Sequence, residues 1–229
     1  MRRLACDLHV HSCLSPCGDE DMTPCNIAGM AHLNGLDVVA LTDHNSSKNC
    51  AAFEKACAEY GIIAVSGMEL TTSEEIHMVC LFEDSKRAEA FEERVDEYRT
   101  RVKNRIEIFG NQRIMGENDE VIGEYPFLLP VATGLSLYEA VELCRSMGGV
   151  CYPAHIDRES NGIVAILGSI PAEIDFPVVE IVGDTDCDRR RIVSSDAHRL
   201  WELKDSENLV EISDEGDIIT ALFAHLRGL

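Results

Sequence analysis

The sequence contains no long apolar run. Arg2 and Arg3 are followed by acidic and polar residues rather than by a stretch of signal-peptide type, and no segment approaches the length of a membrane span. Its ten cysteines are spread over 229 residues, unlike the dense cysteine pattern of a small secreted domain. We therefore expect reduced thiols, a cytoplasmic location and no membrane partner.

The chain also has no internal repeat, no low-complexity tract and no linker rich in Pro, Gly or Ser. With 229 residues, 45% of them hydrophobic, it is long enough to bury a full core. We predict a single domain over residues 1–229.

Cations are scarce. The sequence has 20 Lys and Arg residues against 41 Asp and Glu residues, which gives a net charge of −21. Such a charge repels a polyanion over long range. We therefore expect a small phosphorylated substrate or a short nucleotide as partner, and no long duplex nucleic acid. Bound divalent cations would locally reverse the sign of an acidic pocket, so an anionic substrate stays compatible with this charge.

Several common catalytic motifs are missing. There is no Gly-x-Ser-x-Gly elbow and no Gly-x-x-x-x-Gly-Lys phosphate loop, which argues against a serine hydrolase and a P-loop enzyme. Cys13, Cys17 and Cys25 lack the Cys-x-x-Cys spacing of a zinc cluster.

The pattern of short apolar runs and helical segments indicates an α/β fold. Runs at 4–10 and 36–42 are typical of buried parallel strands, and a helix is predicted between them from Thr23 as cap and Pro24 at its first position. Strands and helices then alternate to the end of the chain. Residues 85–125 interrupt this order with a charged helical stretch and a predicted hairpin at 112–125, so we predict an insertion there.

Histidines supply the strongest chemical signal. In Asp7-Leu8-His9-Val10-His11-Ser12 both imidazoles point to one side of a strand, and paired imidazoles suit Zn, Fe or Mn. The two histidines of an isolated His-x-His motif are more often ordinary polar residues near a strand end than metal ligands. Four more histidines and two carboxylates, however, lie near predicted strand ends, where barrel active sites assemble: His44, His77, His155 and His198, with Glu69 and Asp196. His32 and His225 fall within predicted helices and are left out of the site.

Five motifs in this order resemble the PHP family, named for polymerase and histidinol phosphatase domains: Asp7-Leu8-His9-Val10-His11-Ser12, Leu41-Thr42-Asp43-His44-Asn45, Gly67-Met68-Glu69-Leu70, Pro153-Ala154-His155 and Ser195-Asp196-Ala197-His198. The resemblance implies a distorted (β/α)7 barrel with two or three divalent metal ions, Zn, Fe or Mn. It also implies three ligand sets: His9, His11, Glu69 and Asp196; Glu69, His77 and His155; and His44 and His198 with one further residue.

That further ligand is left open by the sequence. Relatives commonly have a histidine or aspartate here, whereas this chain has Cys17, Asp19 and Asp21 as competing candidates. A thiolate favours Zn or Fe, and a carboxylate favours harder cations.

The resemblance implies a metal-dependent phosphoesterase that hydrolyses phosphomonoesters of a small molecule or an (oligo)nucleotide through a metal-activated water. Arg158 is expected to grip phosphate oxygens, unless it is a solvated loop residue paired with Asp157 or Glu159. Asp43 is expected to orient ligands. Two alternatives remain: a non-catalytic metal-binding PHP module, and an amidohydrolase-like hydrolase of a C–N or C–O bond.

Overall fold

The computed structural model describes residues 1–183 and 187–229. Ten strands lie within these residues: β1 (Arg2–Val10), β2 (Val38–Leu41), β3 (Ile63–Thr71), β4 (His77–Phe82), β5 (Arg113–Met115), β6 (Val121–Glu124), β7 (Val150–Pro153), β8 (Val178–Ile181), β9 (Arg190–Val193) and β10 (Leu209–Ile212). The α-helices are α1 (Pro24–Leu33), α2 (Cys50–Tyr60), α3 (Ser85–Asp96), α4 (Ile106–Phe109), α5 (Leu137–Ser146), α6 (Ile163–Leu167) and α7 (Ile218–Leu226).

Six strands form one sheet in the order β10-β1-β2-β3-β4-β7, and β8 and β9 form a separate parallel pair. β1, β2 and β3 are parallel, as the sequence predicted for the first two, whereas β4 is antiparallel to β3, and β7 and β10 are antiparallel to their neighbours. The α/β class is confirmed. The count of seven strands in a closed barrel stays a prediction.

The sheet is curled around a shared core. One buried cluster joins Leu8 of β1 and Tyr152 of β7 with Val178 of β8 and Ile192 of β9. The β8–β9 pair therefore packs against the inner side of the six-stranded sheet, and the strand ends converge around a common centre. On the outer side, α1 and α2 pack against β2.

Local sequence signals explain where the first helices begin and end. Thr23 caps α1 by accepting a hydrogen bond from the backbone N–H of Asn26, and Pro24 is its first residue, as predicted. α2 ends at Gly61, which adopts a φ of 71°, a left-handed conformation that glycine tolerates best.

The middle segment departs from one expectation. The charged stretch from Ser85 was expected to be helical as far as about Phe109, but α3 ends at Asp96 and only the four residues of α4 are helical after it. Just after α3, the Asp96 carboxylate accepts hydrogen bonds from the side chains of Arg99 and Arg101. The hairpin predicted at 112–125 is present as β5 and β6. The division into one domain with an insertion stays a prediction.

No helix among the described residues is both long and apolar enough to span a bilayer. The cytoplasmic location stays a prediction.

Candidate metal centre

The predicted histidine, glutamate and aspartate ligands lie where one edge of the curled sheet meets the end of the β8–β9 pair. His9 is in β1 and His11 just beyond it, His44 follows β2, Glu69 is in β3, His155 follows β7, and Asp196 and His198 follow β9. His77 was expected at a strand end but is the first residue of β4. Because β4 is antiparallel to β3, His77 still reaches the same edge, directly opposite Thr71.

Four of these side chains form a compact buried cluster. The Nε2 atoms of His9 and His11 are 3.1 Å apart. Asp196 Oδ1 lies 3.0 Å from His11 Nε2, and Glu69 Oε2 lies 3.4 Å from the same nitrogen. All four residues are buried, and their ligand atoms lie within 4.8 Å of one another. These are the residues that the family resemblance implied for the first metal, and this geometry could hold a metal ion.

Glu69 belongs to a second group of ligands as well. Its Oε1 is 2.7 Å from His77 Nδ1 and 3.0 Å from His155 Nε2, while its Oε2 is 2.9 Å from His44 Nδ1. The two carboxylate oxygens thus face different sets of imidazoles. This is the placement expected of a carboxylate that bridges two cations.

The arrangement fits divalent cations better than it fits a purely protein network. Two nitrogens bound to one tetrahedral zinc at ordinary Zn–N distances lie about 3.3 Å apart, close to the separation of the His9 and His11 nitrogens. His44 Nδ1 faces Glu69 Oε2 at 2.9 Å and Asp196 Oδ1 faces His11 Nε2 at 3.0 Å, but neither contact has the geometry of a hydrogen bond. Buried polar atoms rarely lack a hydrogen bond, and a cation between these groups would satisfy them.

A third group contains His11, His44 and His198. The rings of His11 and His198 stack with centroids 4.3 Å apart. The Cys17 thiol faces His44 and His198. Burial raises the pKa of this thiol, but hydrogen bonds to His198 and His44 outweigh burial and lower the pKa to about 6.

The two aspartates that compete with Cys17 face elsewhere. The Asp19 carboxylate lies 3.6 Å from Arg199 Nε, and only its backbone N–H approaches the site, donating to the His198 carbonyl at 2.9 Å. Asp21 is exposed. Of the three candidates left open by the sequence, Cys17 is the one whose pKa responds to His198 and His44, although it is exposed and its sulfur is not among the ligand atoms that lie within 4.8 Å of one another. Its role as a ligand, like the roles of the other predicted ligands, stays a prediction.

Mutual electrostatics sets the protonation of the cluster. Burial raises the pKa of Glu69, but His77, His9 and His44 outweigh it and hold the pKa well below its ordinary value. For His44 the balance is reversed: burial lowers the pKa, and the Glu69 charge together with Cys17 raises it to about 10. Glu69 is therefore ionised at neutral pH, which is the state that binds a cation.

Asp43 supports the site from behind, as expected of an orienting residue. Its carboxylate accepts hydrogen bonds from the Ser12 backbone N–H at 2.7 Å, the Ser12 hydroxyl at 2.6 Å and the Ser15 hydroxyl at 2.7 Å. Because the Ser15 hydroxyl donates its proton to Asp43, the Ser15 oxygen accepts a hydrogen bond from His11 Nδ1, which lies 3.0 Å away. The His11 Nε2 lone pair is then free for a metal.

Glu180 has the same role for His9 and was missed by sequence reasoning. It is fully buried, and its oxygens lie 2.9 and 3.0 Å from His9 Nδ1. A carboxylate can only accept, so Nδ1 carries a proton, and Nε2 is the nitrogen that a neutral His9 would present to a cation. Burial lowers the pKa of His9, but Glu180, Asp196 and Glu69 outweigh burial and raise the pKa well above its ordinary value, so the ring is protonated when no cation is bound. Glu180 also accepts from the backbone N–H of His155 at 3.1 Å. The available signal was an acidic residue inside the apolar run Val178-Val179-Glu180-Ile181.

Three of the six non-glycine residues with positive φ among the described residues are predicted ligands or their direct neighbours. Asn45, His155 and Asp196 have φ values of 47°, 26° and 52°. A non-glycine residue in this region costs about 1–3 kcal/mol and persists where surrounding contacts hold it, often at functional sites. The turn after each of three strands is therefore held in a demanding conformation by the site.

Arg158 lies at the mouth of the cluster. It pairs with Asp196, rather than with Asp157 or Glu159 as the alternative interpretation had it. Both residues line a cavity of about 150 Å³ with five predicted ligands and with Ser160 and Asn161. This recess opens onto the metal-binding groups and is small compared with the roughly 300–1,000 Å³ of typical small-molecule sites. The predicted role of Arg158 as a phosphate grip stays a prediction.

A comparison with protein families matches residues 7–108 of this chain to the model of the PHP domain. The matched segment is a little under half of the chain and contains His9, His11, His44, Glu69 and His77. The resemblance to the PHP family that the five motifs predicted is confirmed.

Two curated proteins match the chain over part of its length. An uncharacterised protein of Methanocaldococcus jannaschii is 34% identical over 99 residues, covering 39% of this chain and 58% of that protein. A 5′-3′ exoribonuclease of Haemophilus influenzae is 36% identical over 78 residues, covering 33% of this chain and 27% of that enzyme. Both matches therefore span well under two thirds of the relative.

Solved structures extend the likeness to the whole fold. The lesion-specific endonuclease Q of Pyrococcus furiosus superposes with a TM-score of 0.64 at 19% identity, covering 100% of this chain and 56% of that one. Endonuclease Q in complex with a 27-mer duplex carrying an abasic lesion gives a TM-score of 0.63 at 18% identity, covering 100% of this chain and 57% of that one. The PHP-type fold is thus confirmed, and together with the His, Glu and Asp cluster the family match supports a metal-dependent hydrolase.

One expectation is wrong. The net charge of −21 led to the expectation that long duplex nucleic acid is not a partner. Endonuclease Q has this fold and is solved with a 27-mer duplex bound at its active site. The physical reason for the error is that net charge describes repulsion at long range, whereas binding depends on the charges next to the ligand.

Proposed function

We propose that this protein is a metal-dependent hydrolase of phosphate esters in nucleic acids, in which a metal-activated water attacks phosphorus. The observation that carries the proposal is Glu69, whose two oxygens face two different sets of imidazoles within 3.4 Å. The names of two similar proteins, an exoribonuclease and a lesion-specific endonuclease, support nucleic acid as the source of the ester.

The predicted ligands surround the place where the cations would bind. His9, His11, Glu69 and Asp196, with His77, His155, His44, His198 and Cys17, would hold two or three divalent cations; the sulfur and imidazole donors favour Zn or Fe, and Mn is the harder alternative. When bound, such cations lower the pKa of water to near neutrality and neutralise charge on the phosphoryl oxygens.

The neighbouring residues position these ligands and the substrate. Glu180 and Asp43, through Ser15, keep His9 and His11 in the tautomer whose Nε2 is free. Arg158, held at the mouth by Asp196, can offer its remaining guanidinium N–H groups to phosphate oxygens. No nucleophilic side chain is needed in this scheme.

The small recess also favours a second candidate, hydrolysis of phosphomonoesters of a small molecule or at the end of an oligonucleotide. A volume of about 150 Å³ suits a single phosphate group better than a buried nucleotide. Internal diesters and terminal monoesters are therefore compared directly in the test.

The test is product release from labelled single strands, abasic-site duplexes, 5′-phosphorylated oligonucleotides and small phosphomonoesters, with protein loaded with Zn, Fe(II) or Mn. We expect turnover of phosphate esters that is lost in His9→Ala and Asp196→Ala. His32→Ala is the matched control, because His32 is an exposed residue whose ring lies 5.6 Å from that of Tyr60, away from the cluster.

Other outcomes contradict the proposal. Full activity of His9→Ala would show that His9 is not an essential metal ligand, which contradicts the proposed function. A protein that binds metal stoichiometrically and turns over none of these esters would be a non-catalytic metal-binding module, and turnover of amides or lactones alone would make it an amidohydrolase-like enzyme.

A further inference from the structure

The few cations of this chain are unevenly distributed. Residues 99–113 contain five of the 20 Lys and Arg residues and a single acidic residue, Glu107. We call residues 99–113 the basic strip. It includes α4 and the segments on either side of it, where the structure interrupts the expected long helix. This segment is therefore locally cationic in a chain with a net charge of −21.

Three of its cations have partners. Arg99 donates to Asp96 at 2.9 Å and to the Asn45 carbonyl at 2.6 Å, Arg101 donates to Asp96 at 2.7 Å, and Arg113 lies 3.0 Å from Glu20. These contacts hold the ends of the strip. They also neutralise the neighbouring carboxylates.

The other two cations of the strip, Lys103 and Arg105, face solvent. Both are exposed, and neither forms an ion pair with any carboxylate in residues 1–183 or 187–229. They are two residues apart in the segment just before α4, and both charges are exposed to solvent. Their charge is available to an anion such as a phosphate backbone.

Apolar side chains lie directly beside these charges. Ile106, Ile108 and Phe109 of α4 are 47%, 54% and 40% exposed. Exposed apolar and aromatic groups next to available cations form the combination that binds unpaired nucleobases, because the bases pack on the apolar groups while the cations contact the backbone. A fully paired duplex would leave these apolar groups without a partner.

The strip borders the metal centre. Its Gly110 packs against the Pro16 carbonyl, and the Arg113 backbone N–H donates to the Cys13 carbonyl at 3.0 Å. Pro16 and Cys13 belong to the 12–20 loop, which carries Cys17 to the histidines. At the other end of the strip, Arg99 bonds the carbonyl of Asn45, the neighbour of His44. A strand bound on the strip would therefore lie next to the mouth of the site.

We propose that the basic strip binds a nucleic-acid strand with unpaired bases and leads it to the metal centre. The proposal rests on the proposed function for its biological sense, but the contacts that carry it are those of Lys103, Arg105 and α4 and not those of the ligands. It accounts for binding of a polyanion by an acidic protein.

The test is equilibrium binding of fluorescein-labelled phosphorothioate oligonucleotides of about 16 nucleotides, a length that covers the usual site of such surfaces. Metal-loaded full-length protein is titrated against single-stranded and fully paired forms, and anisotropy is read at several salt concentrations. Because binding is measured with strands that resist hydrolysis, a protein that binds but hydrolyses nothing would refute the proposed function alone.

The key variant is Lys103→Glu/Arg105→Glu. We expect at least tenfold weaker binding of the single strand at low salt, and a slope of log K against log salt reduced by about 1.4, since each lost contact with a single strand removes about 0.7. The matched control is Lys86→Glu/Arg87→Glu. It makes the same charge change on exposed residues at the start of α3, which follows the end of β4 that is farther from the site. This variant should bind like the unchanged protein.

Phe109→Ala tests the apolar part. We expect about tenfold weaker binding of the single strand with an unchanged salt slope, because the lost contact is not ionic. Circular dichroism and thermal unfolding show that each variant folds.

Three results would overturn the proposal: no binding of any strand at low salt, equal effects of the two double variants, or tighter binding of the fully paired form than of the single strand. The first two remove the strip as a binding surface. The third removes the role of unpaired bases.

Discussion

Replacing Glu180 by Gln removes a charge from the interior without changing the size of the side chain. Glu180 is fully buried and uses both oxygens on His9 Nδ1 and one also on the backbone N–H of His155. Glutamine keeps one acceptor oxygen and introduces a donor. The oxygen belongs where Oε1 stands, since that atom accepts from both groups, which leaves the new N–H₂ about 3 Å from His9 Nδ1, the present distance of Oε2.

The His9 imidazole then has two unfavourable choices. It can keep its tautomer and face the new amide donor, or it can move the proton to Nε2 and lose the lone pair that points to the metal site. Hydrogen bonds to charged groups contribute about 1.5–3 kcal/mol. Mutations of groups that orient ligands typically cost about 10–100-fold in metal affinity, which is about 1.4–2.7 kcal/mol. The two estimates agree, so we expect metal affinity to fall by about 30-fold.

The assay is metal affinity by competition with a chromophoric chelator, together with thermal unfolding of the metal-free protein. Glu211→Gln is the matched control, because Glu211 is also a strand glutamate but is exposed and paired only with Arg3 at 3.5 Å among the described residues. If Glu180→Gln bound metal as tightly as the unchanged protein, the assignment of Glu180 as the residue that fixes the His9 tautomer would be wrong.

Two further predictions concern the whole fold. Metal at a concentration of about 100 times its dissociation constant should raise the midpoint of thermal unfolding by about 5–10 °C. A ligand that binds only the folded state at this concentration adds about 2.7 kcal/mol to the free energy of unfolding, and each kcal/mol raises the midpoint by about 2–4 °C for a protein of this size. Scanning calorimetry with and without a chelator measures the change, and no shift with Zn, Fe(II) or Mn would contradict a metal centre. Gly67→Ala should destabilise by about 1–3 kcal/mol, since its Cβ would stand 2.2 Å from the Cys80 carbonyl oxygen. In Gly123→Ala the new Cβ meets only Ile114 at 3.8 Å among the described residues, so chemical denaturation of the two variants should differ clearly.

The clustering of the predicted histidines and carboxylates could be anticipated because its signal is local and repeated. Each predicted histidine or carboxylate follows or ends an apolar run, and several such runs in one chain form one sheet whose ends meet. The parallel arrangement of β1 and β2 follows from the helix between them. The sequence could not show the direction of β4, since a short buried strand has the same pattern in either direction. His77 stands at the start of its strand, and the antiparallel direction of β4 is what brings that start to the edge where the other strands end.

The residues that orient the ligands were harder to find. Asp43 stands beside His44 and could be assigned from that neighbourhood, whereas Glu180 is 171 residues from His9 in sequence. Its only signal is a charge within a buried strand, which burial opposes unless a partner compensates. Cys17 and Asp19 could not be separated either, because the choice depends on how the 12–20 loop folds: Asp19 uses its backbone on His198 and turns its carboxylate to Arg199.

Net charge misled for a reason that the structure makes concrete. At physiological ionic strength, charges farther apart than about 8 Å are largely screened, so most of the 41 carboxylates of this chain act on their own surroundings and not on a ligand at the sheet edge. At that edge the acidic groups face imidazoles and each other in a way that cations would neutralise. Beside it, Lys103 and Arg105 remain without an acidic partner among the described residues. If the basic strip binds nucleic acid as proposed, the acidic remainder of the surface would disfavour binding elsewhere.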